Sequence, residues 1–265
     1  MSLLNAVLAW DSIRIQIGTL RGQDLELKVA PHDLPLTDIR NCSSVGEQRW
    51  GAVTGVNRQT GRQELWRFDI EGTRTESLVA ANYILNNAID PLGRHICYTA
   101  PPARSSLDMS LYVYDVETSR SDLIVENTVS RFCTLSWRPS TSKVVYHTVD
   151  SQVMEVDINT KDMAVLFKGE YPAVSPDGAR IAFREGNALR VWSAEDQHVM
   201  DVPVKRRLWD GQLQGGMSWS QDGKSLLVSQ SAGVLGYERA FYRIEVASGE
   251  RVRIRQRYLH GLRFR

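Results

Sequence analysis

The chain lacks most of the features that announce chemistry. It has no phosphate-binding glycine loop, no His-Glu-x-x-His pair and no Cys-x-x-Cys pair, so no ready-made phosphate or zinc site is encoded. Gly-x-Ser-x-Gly is also missing, which removes the nucleophile elbow of the serine hydrolases. No apolar run approaches a membrane span. Neither charge dominates: 32 Lys and Arg face 31 Asp and Glu, a net charge of +1, so no global field steers nucleic acid or anionic lipid. Cysteine is scarce, with Cys42, Cys97 and Cys133 at unpaired spacings. That pattern argues against a disulfide framework and fits small buried side chains in a reducing compartment. The first residues, Met1-Ser2-Leu3-Leu4-Asn5-Ala6-Val7, have no basic start and a short apolar run, so no secretory signal is expected. A cytoplasmic location is the corresponding expectation.

What the chain does have is a repeat. Its sharpest copy is Ala173-Val174-Ser175-Pro176-Asp177-Gly178-Ala179-Arg180-Ile181-Ala182-Phe183. A second is Ser218-Trp219-Ser220-Gln221-Asp222-Gly223-Lys224-Ser225-Leu226-Leu227-Val228, and weaker copies centre on Asp90-Pro91-Leu92-Gly93 and on Trp137-Arg138-Pro139. Each copy reads as strand, tight turn, strand. Pro presets φ, Asp bonds its own backbone, and Gly accepts a positive φ. A third strand follows, as in Leu111-Tyr112-Val113-Tyr114-Asp115 and Val153-Met154-Glu155-Val156-Asp157, and a fourth closes the unit. Four short antiparallel strands per repeat is the blade of a β-propeller.

The expected fold is therefore all-β: one domain, residues 1–265, forming a six-bladed propeller with four antiparallel strands per blade. Blade 1 combines 258–265 with 3–31, so the C-terminal strand closes the ring against the N-terminal blade. Blades 2 to 6 are expected at about 38–79, 84–126, 132–168, 171–204 and 215–257.

The Ser-Pro-Asp-Gly turn before a short apolar strand resembles the repeat of TolB-type six-bladed propellers, within the wider WD40-like group. The resemblance covers essentially the whole chain and rests on turn-forming residues. It implies a binding platform whose central channel opens onto a partner. The chain also resembles the propeller part of prolyl-oligopeptidase-type peptidases, without their hydrolase domain.

Five histidines, His32, His95, His147, His198 and His260, are scattered without ligand spacing. His95 and His147 belong to second strands and His198 enters a fourth, leaving His32 and His260 in connections that could face the channel. Asp90, Asp177 and Asp222 sit in the repeated turn, which explains them. No metal, cofactor or catalytic residue is assigned.

The connections between blades are more suggestive. An aromatic or Arg recurs before each inner strand, at Tyr83, Arg131 with Phe132, Tyr171, Trp209 and Tyr258. The longest connection groups Arg206, Trp209 and Asp210 beside glycines. Two long loops reach the same face: 99–108, with Arg104, and 230–239, with Tyr237, Glu238 and Arg239. Amphipathic aromatics and Arg anchor protein interfaces, and long loops on a rigid scaffold carry binding. The expected function is a non-enzymatic scaffold that docks a protein partner at this loop face, in an adaptor or toxin-neutralising role. The alternative is a lyase- or lactonase-like enzyme acting on a small or sugar-like substrate in the channel. The alternating tail Arg251-Val252-Arg253-Ile254-Arg255 reads as an outer edge strand guarded by charge.

Overall fold

The computed structural model describes residues 6–10, 15–21, 24–29, 34–44, 50–70, 74–81, 83–101, 108–204, 213–232, 238–254 and 263–264. All regular structure among them is β. In chain order, β1 (Ala6–Trp10), β2 (Ile15–Arg21) and β3 (Asp24–Val29) come first. Then come β4 (Leu36–Ser44), β5 (Trp50–Asn57), β6 (Gln63–Asp69) and β7 (Thr75–Ala81). β8 (Asn87–Ile89), β9 (His95–Ala100), β10 (Asp108–Asp115) and β11 (Arg120–Ser130) follow. The next four are β12 (Ser136–Trp137), β13 (Lys143–His147), β14 (Gln152–Asp157) and β15 (Met163–Lys168). β16 (Glu170–Val174), β17 (Arg180–Glu185), β18 (Ala188–Ser193) and β19 (Val199–Asp201) form the next unit. β20 (Leu213–Trp219), β21 (Ser225–Ala232), β22 (Glu238–Glu245), β23 (Arg251–Arg253) and β24 (Arg263–Phe264) end the chain.

From β4 to β23 each run of four consecutive strands is an antiparallel meander, and each meander is a blade. The protein is thus an all-β propeller with four antiparallel strands per blade. The blade count is five, against six expected, because the remaining sheet is not a contiguous repeat. It is composite, in the order β24-β1-β2-β3, and joins the two chain ends through Ala9↔Phe264 and Trp10↔Arg263. Contacts also link β1 to β4 and β20 to β24.

The local chemistry of the repeat is as the residues suggest. In 175–178 the Ser175 hydroxyl donates to Asp177, Asp177 accepts from the Ala179 N–H at 3.0 Å, and Gly178 takes φ 73°. The turn at Ser220 repeats the pattern: its hydroxyl donates to Asp222 at 2.7 Å, and Gly223 has φ 65°. A second tie recurs where the third strand ends. The N–H groups of Val116, Ile158, Ala194 and Val246 donate to the carbonyls of Arg94, Ser142, Ala179 and Lys224, each at 2.8–2.9 Å. The two turn types therefore lie side by side on one face of the disc.

An arginine of one blade also reaches the turn of the next on this face. Arg67 donates to the Gly93 carbonyl and Arg180 to the Gly223 carbonyl, both at 2.8 Å. Arg67 also stacks on Trp50 and Arg180 on Trp219. Gly93 is needed for room as well as conformation, since a Cβ there would lie 2.6 Å from the Trp50 ring.

The core lies between the blades. One cluster joins Leu111, Val113 and Cys133 to Trp137, Val144 and Tyr146, and another joins Val145 and Val153 to Ile181, Phe183 and Trp192. The three cysteines are buried thiols. Inner strands are cross-linked by polar groups: Ser43 donates to Asn87, and Ser136 Oγ accepts from the Val174 N–H at 2.9 Å. Trp219 Nε1 donates to the Ala173 carbonyl at 2.8 Å, so this inner-strand tryptophan is structural.

Candidate partner-binding face

The face opposite the turns is built from blade-to-blade connections and from second-to-third strand turns. Two arginine–tyrosine stacks stand on it. In the first, the Arg131 guanidinium lies 5.1 Å from the Tyr83 ring centroid and donates to the Tyr83 hydroxyl. The Arg131 carbonyl accepts from Asn86 Nδ2 at 3.3 Å, so connections 83–86 and 131–135 brace each other. Phe132 follows and is 66% exposed. Val149 is 46% exposed, and its N–H donates to the Thr128 carbonyl at 3.3 Å, which ties that turn to the end of β11.

In the second stack, Arg184 lies 4.7 Å from the Tyr171 ring centroid and ion-pairs with Glu170. The Ser151 hydroxyl also donates to Glu170 at 2.8 Å. Burial raises the Glu170 pKa, but the bonds from Arg184 and Ser151 outweigh it and hold the carboxyl below its ordinary value. Tyr171 takes φ 54°, an uncommon conformation for a bulky residue. That bend aims its N–H at His147 Nδ1, 3.2 Å away. The two rings stand 5.2 Å apart, tilted by 57°.

His147 is buried, and burial is the main reason its pKa falls to about 4, with Arg184 lowering it and Glu170 opposing. The ring is neutral, and because Nδ1 accepts, its proton sits on Nε2. Cys133 meets His147 through the backbone: Sγ accepts the His147 N–H at 3.1 Å, and the thiol points to the Thr134 carbonyl at 2.9 Å. This is a structural knot, not a thiol–imidazole pair poised for nucleophilic attack. Among the described residues no group of three or more His, Cys, Asp or Glu is arranged to hold a metal ion.

Of the residues chosen from sequence, Tyr83, Arg131 and Tyr171 lie on this face. Tyr83 and Arg131 form one stack, while Tyr171 belongs to the other. Arg104, Arg206, Trp209, Asp210, Tyr237 and Tyr258 lie outside the described residues, as do His32 and His260. Glu238 and Arg239 are corrected from loop to strand: they pair with Ala232 and Ser231, because the β21–β22 hairpin extends further than its turn residues suggest. Phe132, named from sequence beside Arg131, is the exposed member of that pair, whereas Glu170, Arg184 and His147 were not foreseen as a cluster. A charged residue directly after the apolar stretch of a second strand, as in Phe183-Arg184, was the available signal.

No protein-family model matches the chain, and a search of curated proteins finds no match. Solved structures do resemble it. TolB from Acinetobacter baumannii aligns with a TM-score of 0.73 at 13% identity, over 95% of this chain and 63% of that one. A chain of the nidogen/laminin complex aligns at 0.69 and 11% identity, over 93% of this chain and 91% of that one. An oligogalacturonate lyase in complex with manganese aligns at 0.62 and 13% identity, over 87% and 74%. At such identities the likeness is one of fold. These neighbours are β-propeller relatives in shape, TolB-like among them, and this chain spans less than two thirds of the Acinetobacter TolB.

Proposed function

We propose that this protein is a non-enzymatic docking platform that receives a protein partner on its connection face. The observation that carries the reading is an exposed anchor on a braced base. Phe132 stands out beside the Arg131–Tyr83 stack, with Val149 exposed nearby. Aromatic and Arg anchors on a rigid support are the usual centre of an interface. The nidogen/laminin complex, in which a similar fold occurs within a protein–protein assembly, supports the same reading by analogy.

The test is mild affinity purification from the native host, with mass spectrometry for protein, metal and small molecules together. One stoichiometric protein should co-purify and be lost with Phe132→Glu or Arg131→Glu, and also with Trp209→Ala or Arg206→Glu. Retention of that protein by the Phe132 and Arg131 variants would overturn the reading. Recovery of a monomer with stoichiometric metal or a small ligand would favour the alternative, a lyase-like enzyme working in the channel. The manganese-bound oligogalacturonate lyase is the structural neighbour that supports that alternative.

The platform reading includes a closed ring in which the composite sheet serves as a sixth blade. Pairing of β24 with β1, and contacts of β1 with β4 and of β24 with β20, support this closure. Removing residues 262–265 should lower the melting temperature by at least about 4 °C, the scale of one to two kcal/mol in a chain of this size. A truncation that melts within a degree of the full chain would leave the ring open.

A further inference from the structure

Several arginines are neutralised where they stand. Arg67, Arg138, Arg180, Arg184 and Arg190 lie within ion-pair distance of Glu76, Glu155, Asp177, Glu170 and Glu185 respectively. Three others, Arg58, Arg62 and Arg131, have no carboxylate partner among the described residues and are steered by neutral acceptors instead. Arg58 Nε donates to the Leu36 carbonyl at 2.9 Å, Arg62 Nη2 to the Ala80 carbonyl at 3.2 Å, and Arg131 to the Tyr83 hydroxyl. A guanidinium carries five N–H groups, so each of the three is held in place with donors to spare.

All three belong to the connection face, where they form one arc. Residues 58–62 are the turn between β5 and β6, and the Arg58 N–H donates to the Pro35 carbonyl at 2.8 Å, beside the entry to β4. Arg62 reaches the end of β7, and Gln63 Oε1 accepts from the Ile84 N–H at 2.6 Å, which ties this turn to connection 83–86. Tyr83 then carries the Arg131 guanidinium, and Phe132 stands next in the chain, exposed. Residues 58–62, 83–86 and 131–135 contain these three arginines and no Asp, Glu or Lys. The acids at adjoining strand ends are already engaged. Asp38 pairs with Arg40, Glu64 accepts from Asn57 Nδ2 at 3.0 Å and from Trp66 Nε1 at 2.8 Å, and Asp108 has a partner of its own. A chain whose net charge is only +1 thus gathers uncompensated positive charge beside its exposed aromatic.

We propose that this arc receives an extended acidic segment of the partner protein, rich in Asp and Glu, with an apolar side chain set against Phe132. The proposal rests on the docking reading above and supplies its chemistry. The arginines are spread over three connections rather than converged on one point. That spacing suits separate carboxylates along a chain, each matched by the planar fork of a guanidinium, better than a single phosphate. Single-stranded nucleic acid also spreads its charge, but it needs rings on which successive bases can stack. Here Arg131 covers Tyr83, and Phe132 is the one aromatic ring left exposed among the described residues of the arc.

The test is to pan a phage-displayed library of random short peptides against the immobilised full chain and to measure the selected peptides by fluorescence anisotropy. They should carry clustered Asp and Glu next to an apolar residue. Arg58→Glu combined with Arg62→Glu should raise their dissociation constant about tenfold, and Phe132→Glu should abolish binding. Panning the Arg58→Glu/Arg62→Glu variant should return peptides bearing Lys and Arg in place of the acids. Both positions are exposed in a turn, so the exchange leaves the blade intact. Selected peptides without acids, peptides indifferent to the arginine variants, failure to select any peptide, or tighter binding of an oligothymidylate would overturn the acidic-segment assignment. The docking reading would then still stand if the co-purified protein is lost with Phe132→Glu, and would fall separately if that protein is retained.

Discussion

Phe183→Ala should cost about 3–5 kcal/mol of stability, the usual penalty for emptying a fully buried aromatic site. The ring lies at the seam between two blades. It packs 4.2 Å from Phe167 and shares a cluster with Val145, Val153, Ile181 and Trp192. The backbone closes over it at Gly169, where a Cβ would sit 2.3 Å from the Phe183 ring. Neighbouring side chains have little room to collapse into the hole, because both walls are sheets. Urea unfolding should show a lower midpoint with an unchanged slope. A loss below about 1 kcal/mol would mean that the two blades are not packed around this ring.

Lowering the pH from 7 to 4 should remove about 3 kcal/mol through His147 alone, taking one pKa unit as 1.36 kcal/mol. The ordinary imidazole value is 6.5 and burial depresses the folded value to about 4. Between these values the unfolded chain binds a proton that the native chain refuses, so stability falls as the pH drops through 6.5 and levels off near 4. The groups facing the imidazole are Glu170, which raises its pKa, and Arg184, which lowers it; burial outweighs both. Asp115, Asp157, Asp177 and Asp222 are held low mainly by hydrogen bonds in their turns. Their contributions are present above the ordinary carboxylate value and are lost only below it, in a separate window. Comparing urea midpoints at pH 7.5 and 4.5 for wild type and His147→Asn isolates the step. Equal pH dependence in the two proteins, or a His147 resonance titrating near 6.5, would contradict it.

Much of the blade was legible because its information is local. Ser175, Asp177 and Gly178 satisfy one another within a few residues, so the turn announces itself without any knowledge of the rest. The strands after each turn, the placing of Trp137 and Trp219 on inner strands, and the pairing of the two chain ends followed from that pattern. The blade count did not, because the sheet assembled from both chain ends was counted as a sixth repeat beside five contiguous meanders. Nor did the face that is proposed to bind. His147, Glu170 and Arg184 meet only because three strand ends from two blades converge, and nothing in their spacing encodes the meeting. Glu238 and Arg239 failed for the opposite reason: the polar and glycine residues around 230–237 looked like a long loop, yet the ladder runs on to Ala232↔Glu238.

The arginines that cross from one blade to the next turn, Arg67 to Gly93 and Arg180 to Gly223, split the disc into two economies of change. On that side a substitution in one repeat is felt by its neighbour, so drift must be concerted across a seam. On the other side, connections of unequal length hang from finished strands, and away from the braces at Arg131–Tyr83 and Tyr171–His147 they can be rewritten singly. A chain built this way can diverge beyond recognition in its recognition surface while its fold stays readable from four turn residues.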